Sequence, residues 1–327
     1  MKLLLIVPAI LVALVGALYL LGPREPVRGA IDLDTGAMDV GVDTYLFERE
    51  RGVANLKRGT QKHVRWQHPN RRERTDWAVV YLHGFSASLQ EIRPVPDIVA
   101  DGLEANLFFS RFRGHGRDGP AMADGSVPAW TEDVAEALEI AQRIGDRTVV
   151  IGTSTGGTMA TLAAFDPRLK DKIDAIVLVS PNFRIQAAGA GALTLPFART
   201  LVPMVVGPER WWAPVNEAHG RWWTTRYPIE AVLPMAAAVR AASKLNYGRA
   251  EIPALFLFSE DDQTVDPATT RAVAEAWGAP SEIAPIVLAT GDDPGSHVIA
   301  GDILSPNQTR PVAERILLWL DATFPAG

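Results

Sequence analysis

One serine in this chain has neighbours that suit it to act as a nucleophile. Residues 148–157 form a β-branched run that ends in Gly-Thr-Ser-Thr-Gly at 152–156. This Gly-x-Ser-x-Gly spacing is typical of a nucleophile elbow, in which a strand turns sharply into a helix and holds the serine in a strained conformation. The two flanking glycines lack the Cβ atoms that would collide in so tight a turn. The spacing therefore predicts that Ser154 attacks a carbonyl carbon.

A serine nucleophile needs a general base, because its hydroxyl is nearly unionised at neutral pH. Two histidines follow Ser154 in the chain, His219 and His297. His297 lies in a turn-rich loop directly after the last predicted strand, and this loop belongs to the same edge of the sheet as the elbow. His219 falls in an inserted segment whose position relative to the sheet the sequence does not define. The pattern favours His297 as the base.

The base in turn needs an anion that fixes its tautomer and stabilises the imidazolium. Another loop at the same edge, residues 259–266, offers four carboxylates, and their positions alone do not separate them: Glu260, Asp261, Asp262 and Asp266. The resulting chain order is serine, acid, histidine. That is the order of α/β hydrolases and differs from the orders of chymotrypsin and subtilisin.

Acyl transfer also needs backbone donors aimed at the developing oxyanion. One is the N–H of Thr155, the residue after the predicted nucleophile. The second is expected in the loop after the strand at 76–82, where Gly84 lets the N–H of Phe85 turn inward. We predict Phe85 and Thr155 as the oxyanion hole, with His83 and Gly84 as substrate-binding neighbours.

Alternating strands and helices must position these residues. Such alternation predicts an α/β fold with a mostly parallel central sheet flanked by helices. Strands are predicted at 62–66, 76–82, 106–111, the elbow strand, 175–180, 254–259 and 283–288, with helices at 43–57, 91–102, 131–144, the elbow helix to 165, 268–277 and 308–324.

The segment 181–251 interrupts this alternation between two predicted core strands. It carries no clear strand, and one helix is predicted at 230–244. We interpret it as a helical cap over the carboxyl ends of the strands, where ligands bind in open α/β folds. Its four tryptophans either pack the cap or line an apolar pocket, and we name them as candidate substrate-binding residues: Trp211, Trp212, Trp222 and Trp223. The core then comprises 61–180 and 252–327.

The amino-terminal segment, 1–22, contains an uncharged run of 19 residues from Leu3 to Leu21. As a helix this run would be about 28 Å long, close to the thickness of the hydrocarbon core. It predicts a single-pass membrane anchor with an extracytoplasmic catalytic domain. The alternative is a cleaved signal peptide and a secreted protein. Residues 23–60 form an amino-terminal extension.

Composition limits the remaining function classes. The formal net charge is −6 and no block of lysines and arginines occurs, so no nucleic-acid partner is expected. The chain has no cysteine, which excludes disulfides, thiolate metal sites and a cysteine nucleophile. No metal-ligand or nucleotide-phosphate motif is present, so we expect neither a metal nor another cofactor.

Five motifs together resemble the α/β-hydrolase superfamily, and most closely its serine aminopeptidase S33-type branch, which includes monoacylglycerol lipases, lysophospholipases and small carboxylesterases. The resemblance covers about residues 61–327, and the motifs occur in the family's order. They are Tyr-Leu-His-Gly-Phe at 81–85, Arg-Gly-His-Gly-Arg at 113–117, Gly-Thr-Ser-Thr-Gly-Gly at 152–157, Ser-Glu-Asp-Asp-Gln-Thr-Val at 259–265 and Ser-His-Val at 296–298.

The resemblance implies roles for particular residues. In that branch the acid is the aspartate of a Gly-x-x-Asp-x-x-Val stretch. The match here gives Asp262, with Ser259 in place of the glycine, and leaves Asp261 as the alternative. The loop at 113–117 carries over as pocket wall, with His115 in a structural role.

The function implied is hydrolysis of small-molecule carboxylic esters, with an apolar acyl or alcohol part, through a Ser-His-Asp triad and an acyl-enzyme. A peptidase or amidase of the S33 type is the alternative enzyme. A non-catalytic binding module built on a hydrolase fold is the non-enzymatic alternative.

Overall fold

The computed structural model describes residues 14 and 16–325 and has a seven-stranded sheet at its centre. In chain order, the strands of this sheet and of a separate two-stranded sheet are β1 (His63–Arg65), β2 (Thr75–Leu82), β3 (Asn106–Phe109), β4 (Gly145–Thr153), β5 (Ala175–Val179), β6 (Glu209–Trp211), β7 (Arg226–Pro228), β8 (Ala254–Phe258) and β9 (Ser281–Pro285). The helices are α1 (Val42–Arg51), α2 (Val95–Gly102), α3 (Val127–Ile144), α4 (Thr155–Ala164), α5 (Ala198–Val206), α6 (Glu217–Trp222), α7 (Val232–Ala242), α8 (Pro267–Glu275) and α9 (Thr309–Thr323).

The sheet runs in the order β1-β3-β2-β4-β5-β8-β9. The edge strand β1 is antiparallel to β3, and every other pair of neighbours is parallel. The carboxyl ends of β2, β4, β8 and β9 therefore meet at one edge, where the loops that carry Phe85, Ser154, Asp262 and His297 begin. The predicted α/β class with a mostly parallel sheet is confirmed.

Side chains of the central strands alternate between two buried cores. On β2, Ala78, Val80 and Leu82 belong to one core, which α3 and α4 help to build. Val79 and Tyr81 belong to the other, which includes residues of α2 and α9. A strand buried on both faces reads as a continuous apolar run, as this one does in the sequence.

The glycines of the elbow lie where no side chain would fit. A Cβ at Gly152 would be 2.7 Å from the carbonyl oxygen of Gly156. A Cβ at Gly156 would press on the Leu82 carbonyl, 2.6 Å from its carbon. The backbone of β2 and that of the first turn of α4 are thus in direct contact, with no side chain between them. This contact brings the loop after β2 next to Ser154.

The insertion between β5 and β8 contains α5, α6 and α7 and also a small two-stranded antiparallel sheet. In this sheet β6 pairs with β7 in the register Glu209 to Pro228 and Trp211 to Arg226. The sequence-based expectation of a cap without strands is therefore corrected. Each of these strands has three residues, too short for an alternating pattern to reveal it.

The amino-terminal extension packs on the core through α1 and buried charges. The Tyr45 hydroxyl donates to Glu136 on α3 at 2.6 Å. Lys62, which follows the extension, donates to Asp133 at 2.9 Å and pairs with Glu136. Charges this deeply buried are tolerated because each finds a partner of opposite sign.

In the part of the chain that the structure describes, no helix is both long and apolar enough to cross a bilayer. The predicted single-pass anchor at 3–21 is corrected on this finding. Residues 1–13 and 15 lie outside the described residues, as does the cleaved-signal alternative. The extracytoplasmic location depended on the anchor and is withdrawn with it.

The elbow contacts predict a large steric effect at Gly156. We expect Gly156→Ala to lower the free energy of unfolding by about 3 kcal/mol or more, because the new methyl group would overlap the Leu82 carbonyl and force the backbone apart. Urea unfolding followed by far-UV circular dichroism measures this change. Gly191→Ala is the matched control, since apart from its own chain neighbours no atom of the described residues lies within 4 Å of the position that its new methyl group would take. Equal effects of the two substitutions would contradict the steric account.

Candidate active site

Ser154 lies at the turn between β4 and α4, in a conformation that most residues avoid. Its φ is 51° and its ψ is −114°. The backbone is held there by a hydrogen bond from its N–H to the Val179 carbonyl at 2.9 Å, and its own carbonyl accepts from Asn182 at 3.1 Å. The hydroxyl lines a cavity, although Ser154 as a whole is only 7% exposed.

The structure brings together Ser154, His297 and Asp262. The Ser154 Oγ is 3.0 Å from the His297 Nε2, and the His297 Nδ1 is 2.8 Å from the Asp262 Oδ2. The hydrogen bond to Asp262 gives Nδ1 the proton, so Nε2 is free to accept from the serine hydroxyl. This is the arrangement in which an imidazole can remove a proton from an alcohol.

Asp262 differs from the other three carboxylates of its loop in burial and in partners. Its side chain is buried, and its Oδ1 accepts from the N–H groups of Thr264 at 2.7 Å and Val265 at 3.0 Å. Glu260 pairs with Arg271 at the surface. Asp266 caps α8 by accepting from Ala268, and Asp261 is exposed.

The pKa of the His297 imidazole is raised above its ordinary value of 6.5. Burial alone would lower this pKa, but the charge and hydrogen bond of Asp262 outweigh burial, and Glu91 and Asp293 act in the same direction. Asp293 also orders the loop itself, since its Oδ2 accepts from the N–H groups of His297 and Val298, both at 2.9 Å. An Asp two residues before a glycine is a common turn signal, and this spacing is the one feature of the sequence that could have indicated the role of Asp293 in ordering the loop.

Two backbone donors belong to residues of the cavity beside Ser154. Phe85 and Thr155 both line it. Among the hydrogen bonds of the described residues, neither the Phe85 N–H nor the Thr155 N–H has a protein acceptor. Two N–H groups without a protein acceptor beside a serine hydroxyl form an arrangement that can stabilise an oxyanion.

His83 and Gly84, predicted as substrate-binding residues, do not line the cavity. The His83 Nε2 accepts from the Phe112 N–H at 3.1 Å, and its Nδ1 donates to the Gly84 carbonyl at 2.8 Å. Burial lowers the pKa of His83 to about 4, so the ring is neutral. The Gly84 N–H donates to Glu91 at 2.6 Å. Both residues therefore stabilise the loop through hydrogen bonds without lining the cavity.

Two further histidines, His115 and His219, form no hydrogen bond with Ser154 Oγ in the described structure, although His219 lines the same cavity. His115 is fully buried and packs against His83, Phe85 and Trp130. His219 lies in the cap, where its Nδ1 accepts from Val215 at 3.2 Å and its ring contacts tryptophans on both sides.

The cavity above Ser154 has a volume of about 930 Å³. The core contributes polar groups at its floor, among them Glu91, Asn182 and Asp293. The cap contributes an apolar wall: Leu193, Leu195, Leu201, Val202, Val205, Val206, Ile229, Val232 and Met235. A concave site of this size, apolar with a few polar groups, suits a small-molecule ligand.

Three of the four predicted tryptophans line the cavity, namely Trp211, Trp212 and Trp223. Trp223 is buried, whereas Trp211 is 72% exposed at the rim. Trp222 does not line the cavity, which corrects its predicted role. Its ring lies against Gly59 and under the guanidinium of Arg221, so it packs the cap on the amino-terminal extension.

The ion pair between Asp262 and His297 predicts a pH-dependent effect on stability. Because the pKa of His297 is raised on folding, its stabilisation is fully present below the unfolded value and is lost as the pH rises through the folded value. Asp262→Asn keeps an oxygen for the Thr264 N–H and removes the charge. We expect it to destabilise the protein more at about pH 5.5 than at about pH 9.

Urea unfolding at the two pH values measures this difference. Asp261→Asn is the control, because this exposed neighbour has no ion pair in the described structure. Equal destabilisation by Asp262→Asn at both pH values would contradict the account.

Comparisons with known proteins agree with this architecture. A model of the family described as serine aminopeptidase, S33, matches residues 73–284. Among solved structures, one from the metagenome-derived lipolytic enzymes LipS and LipT is similar at 19% identity and a TM-score of 0.64, over 82% of this chain and 99% of that one. No curated protein matches the sequence.

Two further structures have the same fold. The monoacylglycerol lipase of Paleococcus ferrophilus is similar at 15% identity and a TM-score of 0.58, over 80% of this chain and 98% of that one. A soluble variant of the monoglyceride lipase of Saccharomyces cerevisiae, in complex with a substrate analog, is similar at 13% identity and a TM-score of 0.57, over 80% and 91% of the two chains. The resemblance predicted from the five motifs is confirmed. Since the family model matches well over half of the chain, this protein belongs to the serine aminopeptidase S33 family of α/β hydrolases.

Proposed function

We propose that this protein hydrolyses small-molecule carboxylic esters with an apolar part through an acyl-enzyme on Ser154. The observation that carries the proposal is the unbroken chain of hydrogen bonds from Ser154 Oγ through His297 to Asp262, which opens into a largely apolar cavity. An alcohol, an imidazole and a buried carboxylate in this order form the set that activates a serine for acyl transfer.

In the first half of the reaction, His297 Nε2 accepts the proton of Ser154 as Oγ attacks the ester carbonyl carbon. Asp262 holds the ring in the required tautomer and stabilises the imidazolium. The N–H groups of Phe85 and Thr155 bind the oxyanion, and each such donor contributes about 3 kcal/mol to lowering the barrier. His297 then donates its proton to the leaving alcohol, and the acyl group remains on Ser154.

In the second half, His297 removes a proton from water, which attacks the acyl carbonyl. The same two N–H groups stabilise the second oxyanion, and Ser154 Oγ leaves with the proton from His297. Binding of an apolar chain against α5 is favourable because it removes apolar surface from water, by about 25 cal/mol for each Å². The polar groups at the floor favour an alcohol part that can form hydrogen bonds.

Turnover of p-nitrophenyl esters of graded chain length tests the proposed reaction, with a p-nitroanilide series as the amide counterpart. We expect hydrolysis of the esters and a fall in kcat of at least about 10⁴-fold in Ser154→Ala. Asp262→Asn should lower kcat by about 10³- to 10⁴-fold, because the ring loses its tautomer control, and Asp261→Asn should not. Faster hydrolysis of the anilides than of the esters would favour the peptidase or amidase alternative. Ester hydrolysis at an unchanged rate in Ser154→Ala would contradict an acyl-enzyme on Ser154.

The apolar wall predicts a substitution that changes chain-length preference. Val202 on α5 lines the cavity, so Val202→Trp should shorten the space for an acyl chain. We expect the ratio of kcat/KM for a long-chain ester to that for a short-chain ester to fall by about ten-fold or more. Met204→Trp on the same helix is the matched control, since Met204 is 77% exposed and does not line the cavity. An unchanged ratio in Val202→Trp would show that the chain binds elsewhere.

A further inference from the structure

A second buried acid lies at the floor of the cavity, outside the Ser154, His297 and Asp262 set. Glu91 is only 3% exposed, lines the cavity and follows the loop after β2. The sequence did not single it out, because a glutamate at the start of a predicted helix (91–102) resembles an ordinary surface residue. Buried carboxylates need compensating partners, so the contacts of Glu91 indicate what it does.

The carboxylate of Glu91 holds the loop that carries Phe85. Its Oε2 accepts from the Gly84 N–H at 2.6 Å and from the Tyr81 hydroxyl at 3.1 Å. A Cβ at Gly84 would be 2.5 Å from the Glu91 Oε1, so Glu91 occupies the space that a side chain there would need. A glycine is therefore required at position 84 as long as the Glu91 carboxylate lies beside it.

The same carboxylate links the loop to the elbow. The Tyr81 hydroxyl also lies 3.3 Å from the Oγ1 of Thr153, the residue before Ser154. Glu91 thus spans the two backbone segments that supply Phe85 and Thr155. With the Gly84 N–H engaged by Glu91, the next N–H along the chain, that of Phe85, is left without a protein acceptor at the cavity.

We propose that Glu91 is a positioning residue, whose carboxylate fixes the Phe85 loop beside Ser154 and places a negative charge in the same cavity as the His297 ring during acyl transfer. This inference rests on the proposed ester hydrolysis for its kinetic part and on the folded structure alone for its electrostatic part.

The groups around Glu91 make its charge sensitive to pH near neutrality. Burial raises the pKa of its carboxyl to about 7, and the Gly84 N–H, His297 and Tyr81 oppose this rise. On the other side of His297 lie Asp262 and Asp293, which also raise the pKa of the imidazole. An ionised Glu91 favours the imidazolium, so removing this charge must lower the pKa of His297.

Two substitutions separate the hydrogen bond from the charge. Glu91→Gln keeps an oxygen that can accept from the Gly84 N–H and removes the charge, whereas Glu91→Leu removes both. We expect Glu91→Leu to lower kcat by about ten- to a hundred-fold with a smaller change in KM, because a displaced oxyanion donor acts on the transition state. Glu91→Gln should restore part of this loss. Glu251→Gln, an exposed glutamate that pairs with Lys170, is the control.

The charge is tested by the pH profile and by NMR. In Glu91→Gln the acid limb of kcat/KM should move to lower pH, and the imidazole of His297, assigned by its absence in His297→Gln, should titrate at lower pH than in wild type. An unchanged His297 titration in Glu91→Gln, or a wild-type kcat in Glu91→Leu, would overturn the inference. If Glu91→Leu does not fold, the His297 titration and the pH profile of Glu91→Gln test the inference. If wild type hydrolyses no ester, the proposed function fails, and the His297 titration still tests Glu91.

Discussion

At Ser154 the backbone adopts φ 51° and ψ −114°, a conformation that a residue with a side chain holds only where its surroundings impose it. Such a conformation costs of the order of 1–3 kcal/mol, and the hydrogen bonds to Val179 and Asn182 offset that cost. The bare backbone at Gly152 and Gly156 allows α4 to approach β2 closely. This one turn sets the position of the hydroxyl, of the Thr155 N–H and of the loop that carries Phe85.

The rest of the site is an arrangement of charge around one imidazole. His297 comes from the loop after β9, whereas Asp262 follows β8 and Glu91 follows β2, so three separate segments meet at the carboxyl edge of the sheet. Because Asp262, Glu91 and Asp293 all favour the imidazolium, the site stabilises a positively charged His297 ring, which the proposed acyl transfer requires. The insertion at 181–251 supplies the apolar wall of the cavity at this edge.

The sequence predicts well the features that depend on local backbone constraints, and predicts poorly those that depend on packing between distant segments. The parallel sheet and the elbow were predicted from apolar runs and glycine spacing, which report directly on backbone conformation. The start of α3 was predicted at Thr131, but its cap is Ser126, whose side chain accepts from Ala129. The role of Trp222, which was wrongly predicted, and that of Glu91, which was not predicted, depend on the surface that each side chain contacts, and residue spacing does not encode such contacts. Likewise, the composition of the run at 3–21 favoured a membrane anchor, but no helix among the described residues is long and apolar enough to be one.

The central claim is that Ser154 carries the acyl group during turnover. The most direct test mixes the protein with a p-nitrophenyl ester, quenches with acid during the first turnover and measures the mass of the peptide that contains Ser154. The account predicts a burst of p-nitrophenolate, about one equivalent for each protein molecule, and a mass increase equal to the acyl group on that peptide. Ester turnover with no acyl group on Ser154 at any time after mixing would contradict it.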